Sequence, residues 1–245
     1  VLTLPHKNGK ITAEQIEKLL CDYANDANRD HMVMPGMAYL SQPTEYGTLY
    51  SRAELTQISS VCRAHRMPLY VDGARLAYAL ACPENDVSLA DLAALCDAFY
   101  IGGTKCGALF GEAVVLPRPG LIPHFFTIIK QHGALLAKGR LLGIQFDTLF
   151  TDGLYEKLGA PAMAAADHIR AALRECGYTL CFDSPTNQVF CILDNDTMAR
   201  LAQKVDFGFW EKYDDTHTIV RFATSWATDM GDVKLLKDAL RDAWQ

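Results

Sequence analysis

Two residues in this chain have the types and settings to do covalent chemistry together. Lys105 lies in Phe99-Tyr-Ile-Gly-Gly-Thr-Lys-Cys-Gly-Ala-Leu-Phe110, directly after an apolar, strand-like run and framed by glycines. Such a lysine can be partly desolvated, which favours the neutral amine that attacks a carbonyl to form a Schiff base. Thirty-three positions earlier (105 − 72 = 33), Leu69-Tyr-Val-Asp-Gly-Ala-Arg75 puts Asp72 at the end of a second apolar run. Strand C-termini in α/β sheets deliver functional groups at such places. Alone, each residue has a commoner role, Lys105 as a solvated loop lysine and Asp72 as a turn or N-cap residue. Together, at neighbouring strand ends, they suggest pyridoxal 5'-phosphate. The lysine would hold its aldehyde, and a buried aspartate would keep its ring nitrogen protonated, ready to take up the electron pair of a broken substrate bond.

The elements that must position this pair read as alternating strands and helices. Val1–Pro5 reads as a strand and 7–10 as a turn, and Thr12-Ala-Glu-Gln15 is a capping box opening a helix to about Asn25. A buried strand over 32–40 and a polar loop from Ser41 to Gly47 follow. A second capping box, Ser51-Arg-Ala-Glu54, starts a helix to about His65. The Asp72 strand, helices over 76–81 and from Ser88, the Tyr100 strand and a strand over 111–116 complete a parallel-sheet pattern. Helical stretches cover 125–150, interrupted near Gly133, and 154–176. A smaller α/β segment then reads as strand 188–193, helix 194–204, strand 218–224 and helix 229–243.

At 245 residues the chain can bury a sizeable core. Half of it is hydrophobic and 21% charged, ordinary for a globular enzyme and incompatible with disorder. A net charge of −6 without a Lys/Arg run argues against nucleic acid or an anionic membrane as partner. No stretch is long and apolar enough to span a bilayer, so a cytoplasmic protein is expected. The eight cysteines show no C-x-x-C pair, so neither a disulfide framework nor a metal site is expected. Cys106, beside the lysine, reads as packing rather than as a reactive thiol.

Arg221 stands inside an otherwise apolar strand, where an unpaired arginine is costly to bury and a bidentate grip on a carboxylate suits its planar fork. A structural ion pair is the other reading.

Val71-Asp-Gly-Ala-Arg-Leu76, Gly102-Gly-Thr-Lys-Cys-Gly107 and Ile219-Val-Arg-Phe-Ala-Thr-Ser225, in this order, resemble the threonine aldolase branch of the β-eliminating lyases. The resemblance implies an α/β fold of the PLP-dependent transferase-like kind (aspartate aminotransferase fold type I). Its sheet is mainly parallel with helices on both faces, and a smaller C-terminal α/β domain follows. Residues 1–124 would be the remainder of the large PLP-binding domain, 125–177 a helical connector and 178–245 the small domain. The family's large domain starts roughly a hundred residues before the strand matching Val1, much of one ordinary domain. That part carries the phosphate-cradling loop and a ring-stacking histidine, so a fragment, a cleaved product or the ordered part of a longer protein is expected.

By the same resemblance Lys105 is the Schiff-base lysine, Asp72 faces the ring nitrogen and Arg75 lies near the cofactor's phenolic oxygen. Thr104 either bonds the phosphate or ends its strand. Arg221 would hold the substrate α-carboxylate, and Thr44 is a further candidate polar contact. Lys130, Lys138 and Arg140 lie in the stretch that reaches a neighbouring subunit in relatives, and His124 and His132 flank it. Each of these five reads more simply as a surface or core residue. The implied activity is cleavage of the Cα–Cβ bond of threonine or a related β-hydroxy-α-amino acid to glycine and an aldehyde. Other PLP-dependent β-elimination, racemisation, or a non-catalytic chain acting in assembly are the alternatives. Sites between subunits imply a homodimer or homotetramer.

Overall fold

A computed structural model describes residues 1–244. Val1–Pro5 is irregular rather than a strand, and the first backbone pairing is a bridge between Lys7 and Lys10 across their turn. Helix α1 (Ala13–Asn25) starts at the Thr12/Gln15 capping box. The buried strand expected over 32–40 shrinks to β1 (Ala38–Ser41): Pro35-Gly36 breaks the run, and Met32, Val33, Met34 and Met37 are exposed rather than buried. The Ser51/Glu54 box opens α2 (Arg52–Ala64), followed by β2 (Leu69–Gly73) and α3 (Leu76–Leu80). A third box, at Ser88/Asp91, opens α4 (Leu89–Leu95), which leads into β3 (Ala98–Ile101).

The first sheet has the order β1-β2-β3-β4, with β4 at Ala113–Val115. Strands β1, β2 and β3 are parallel, whereas β4 returns antiparallel. Eleven residues separate β3 from β4 (113 − 101 − 1 = 11), fewer than the dozen or so a crossover takes. Burial alternates along these strands. Leu40, Leu69, Val71, Phe99 and Ile101 are buried on one face, while Tyr39, Tyr70, Asp72 and Tyr100 on the other are exposed or half-buried. A parallel sheet packed on both faces shows no such alternation. Among the described residues, then, only one face of this sheet is packed.

Helices α5 (Phe125–Gln131) and α6 (Arg140–Phe150) are separated at Gly133, whose φ of 69° suits a residue without Cβ. Short α7 (Leu154–Lys157) leads into α8 (Gly159–Glu175). Strands β5 (Thr179–Leu180), β6 (Gln188–Asp194), β7 (Gly208–Lys212) and β8 (His217–Ala223) form a wholly antiparallel second sheet, ordered β5-β6-β8-β7. Two helices, α9 (Asn195–Leu201) and α10 (Met230–Trp244), complete that part. Strands β5 and β7 escape the sequence reading, the first because it is two residues long, the second because it is mostly exposed and bulged between Phe209 and Glu211.

Two hydrophobic cores result. One runs from Ala13 through the first sheet to Leu149, Tyr155 and Met163; the other begins at Ala165 and takes in β6, β8 and α10. Helix α8 is therefore divided between them, its first half serving one core and its second half the other.

Candidate active site

Asp72 is the penultimate residue of β2, and its register partner on β3 is Tyr100. One carboxylate oxygen accepts the Ala74 backbone N–H at 2.9 Å, which fixes the rotamer; the other accepts a short hydrogen bond from the Tyr39 hydroxyl of β1. Burial and the neighbouring Asp72 carboxylate push the Tyr39 and Tyr100 phenols well above the ordinary tyrosine range. Both rings therefore stay protonated donors beside the carboxylate. Neither tyrosine is marked in the sequence, because strand register places them there.

Lys105 follows β3 by four residues (105 − 101 = 4), in a turn at the same end of the sheet. Its side chain is exposed, which corrects the expected partial desolvation: the glycines hold the peptide close to the sheet and leave the amine outside. Among the described residues nothing bonds that amine. Its backbone, in contrast, is tied down. Tyr78, buried on α3, donates a short hydrogen bond to the Lys105 carbonyl and accepts the Trp226 N–H at 3.4 Å. Tyr155 donates to the Gly102 carbonyl at 2.8 Å.

The carboxylate of Glu112 accepts the Gly103 N–H, and it takes the Thr104 hydroxyl at 2.8 Å. Thr104 is thus engaged within its own turn, by a residue that sequence reading passes over. Gly102 has no room for a Cβ, which would lie 2.3 Å from the Ala74 carbonyl oxygen. Cys106 is fully buried and its thiol is pushed up by that burial to about 11, so it packs and does not react.

Arg221, on β8, crosses from the second core. It donates to the buried Gln188 side chain at 3.0 Å, stacks over Trp210 at 5.4 Å and stands 3.9 Å from Glu45. The same Glu45 carboxylate bonds Arg75 at 2.9 Å. Burial and the Arg75 charge lower the Arg221 pKa, while Glu45 raises it. Two guanidiniums, both always charged, thus share one half-exposed carboxylate, which leaves a net positive charge there.

Glu45 and Gln188 carry this arrangement and have no signal in the sequence beyond their polarity. The Gln188 amide also reaches the Thr44 and Glu45 carbonyls at 3.4 and 3.2 Å, joining the two halves of the site. Thr44 lines a hollow of about 190 Å³ with Tyr39 and Glu45. Its hydroxyl, however, is held by Thr48 at 2.7 Å and Asn8 at 3.4 Å, and the residue is 1% exposed, so it braces the loop and is not free for a substrate. Gly47 lets that loop meet the second core: a Cβ there would lie 2.0 Å from the Ser184 Oγ. Lys130 and His132 flank the end of α5, Arg140 begins α6, Lys138 precedes it and His124 precedes α5, all outside this cluster.

A pyridoxal phosphate fits these residues at two of its three ends. An unbonded primary amine and a hydrogen-bonded, half-buried carboxylate at adjacent strand ends suit its aldehyde and ring nitrogen. Toward its phosphate, the Lys105 turn offers the Thr104 hydroxyl, already shared with Glu112.

The fold is that of a class, the pyridoxal-phosphate-dependent enzymes of fold type I. A mutant aspartate aminotransferase of Thermus thermophilus shares the fold, with a TM-score of 0.66 at 14% identity over 98% of this chain and 66% of that one. Within the class, residues 1–196 match the β-eliminating lyase family, and the chain belongs to it. A threonine aldolase of Leishmania major is 42% identical, with a TM-score of 0.93 over all of this chain and 70% of that one. The low specificity L-threonine aldolase of Pseudomonas sp. (strain NCIMB 10558) is 29% identical over 98% of this chain and 68% of its own length. The chain spans about two thirds of the length of the curated relatives it matches. Among the described residues no helix is long and apolar enough to cross a membrane.

Proposed function

We propose that the chain carries the core of a pyridoxal-phosphate-dependent lyase that cleaves the Cα–Cβ bond of threonine or a related β-hydroxy-α-amino acid, giving glycine and an aldehyde. The observation that carries the reading is the pairing of Asp72 and Lys105 at the ends of adjacent parallel strands; the family and its threonine aldolase members support the choice of reaction. Bound there, the cofactor supplies an electron sink for the pair left at the α-carbon.

The protein's own groups do the rest. Lys105 offers the primary amine, and Asp72, held by Tyr39 and Ala74, keeps a proton at the ring nitrogen. Arg75, paired with Glu45, would lie near the cofactor's phenolic oxygen. Arg221 grips the substrate α-carboxylate in competition with Glu45, which fixes the bond that stands across the ring and hence the bond that breaks. A homodimer or homotetramer in the cytoplasm completes the reading.

The test is to add pyridoxal phosphate to the purified chain, record absorption before and after borohydride, and follow threonine, serine, cysteine and alanine as substrates. One cofactor mass fixed on the Lys105 peptide, with acetaldehyde released from threonine, supports the proposal. Turnover of serine, cysteine or alanine without threonine cleavage replaces it with elimination or racemisation. No cofactor mass means that these residues alone do not hold the cofactor, the outcome expected of a chain that acts only in assembly.

A further inference from the structure

Away from the strand ends, α1 and α2 pack against each other. Glu17 and Cys21 lie one helical turn apart on α1, and His65 is the residue at the C-terminal cap of α2. The His65 Nε2 stands 3.0 Å from each carboxylate oxygen of Glu17, and the Cys21 thiol donates to the Glu17 Oε1 at 3.3 Å. The three ligand atoms, a sulfur, a ring nitrogen and a carboxylate oxygen, lie within 4.8 Å of one another.

We propose that Glu17, Cys21 and His65 bind a divalent cation of the zinc type, with water in the fourth position. A tetrahedral Zn²⁺ bound at about 2.0 to 2.3 Å sets neighbouring ligand atoms about 3.3 to 3.6 Å apart. Two of the three separations here are already within a few tenths of an ångström of that spacing. The third closes by rotation of the half-exposed Cys21 and His65 side chains. Thiolate and carboxylate balance the two charges of the ion, and the imidazole binds neutral; the thiol proton leaves to solvent on binding. Lys18, on the same turn of α1, is paired with Asp22 at 2.5 Å. One sulfur and one imidazole donor select zinc over magnesium or calcium, which take oxygen.

The ion would join positions 21 and 65, 44 residues apart (65 − 21 = 44), between two helices whose starts are fixed by capping boxes. That separation is why no ligand spacing is visible in the sequence.

Co²⁺ added to the reduced, metal-stripped chain is the probe. The expected result is saturation at one equivalent, with a thiolate-to-cobalt charge-transfer band and the visible bands of a tetrahedral ion, reversed by Zn²⁺ and unaffected by Mg²⁺. Cys21→Ser loses the charge-transfer band, and His65→Gln weakens Co²⁺ binding by about tenfold or more. Zn²⁺ raises the Tm of the wild-type chain and of neither variant. Absence of the band, a band of equal strength in Cys21→Ser, or displacement of Co²⁺ by Mg²⁺ would each overturn the assignment. Far-UV circular dichroism of both variants excludes misfolding as the cause of a loss.

Discussion

The two ends of the candidate site are held in opposite ways. Asp72 is restrained by its side chain, with the Tyr39 hydroxyl on one carboxylate oxygen and the Ala74 N–H on the other. Lys105 is restrained by its main chain, through Tyr78 on its own carbonyl and Tyr155 and Glu112 on the residues before it, while nothing among the described residues bonds its amine. A carboxylate that serves one fixed proton gains from a locked rotamer, because preorganisation removes the cost of ordering it at the moment of reaction. An amine that must form and release a covalent bond in every cycle needs a fixed base and a mobile tip. In the proposed function, the difference in anchoring would follow this difference in task.

The largest effect belongs to the mobile tip. Lys105→Ala should abolish borohydride-fixed cofactor and lower kcat by roughly 10⁴-fold, the scale of removing a covalent catalytic group. Retained turnover at more than a tenth of wild type would remove Lys105 from the reaction. At the fixed end, Asp72→Asn keeps the size and the Ala74 contact but cannot stabilise a protonated ring nitrogen. Its kcat should fall roughly 10²- to 10⁴-fold with cofactor still attached, and loss of attachment instead would make Asp72 a structural residue.

A third pair of variants addresses the charge balance around Glu45. Arg221→Lys loses the fork that grips a carboxylate and should raise KM for threonine about 10- to 100-fold with little change in kcat, equivalent to about 1.5 to 3 kcal/mol. Glu45→Gln frees both guanidiniums of their internal carboxylate and should lower KM by roughly two- to fivefold, the scale of a half-exposed ion pair. Steady-state kinetics on threonine checks both. A raised KM in Glu45→Gln would mean that Glu45 orients the arginines and does not compete with substrate.

How far the sequence reaches follows from the same residues. Asp72, Lys105 and Arg221 are legible because each breaks an apolar run, and the capping boxes at Thr12 and Ser51 are legible because their partners lie three residues away. Tyr39 and Glu112 are silent, since only strand register or the return of β4 brings them to Asp72 and to the Lys105 turn. The antiparallel direction of β4 is equally hidden, as it depends on the length of a connection and on no residue within the strand. Thr44 misleads: a threonine in a polar loop beside a site looks available until its bonds to Thr48 and Asn8 are seen.

The smallest expected effect is the most discriminating for the contrast in anchoring. Tyr78→Phe removes a single hydroxyl, deep in the core and out of reach of any substrate, and leaves the Lys105 carbonyl and the Trp226 N–H without that partner. An unpaired buried group costs about 1 to 3 kcal/mol, which for a chain of this size lowers Tm by roughly 2 to 4 °C per kcal/mol. If the main chain positions the amine, kcat should also fall a few-fold while KM and the amount of cofactor fixed on Lys105 stay unchanged. A lowered Tm with kcat intact would show that Tyr78 braces the fold without setting the lysine. Comparing Tyr78→Phe with Tyr39→Phe, which loosens Asp72 by its side chain, then reads the two modes of restraint on one scale.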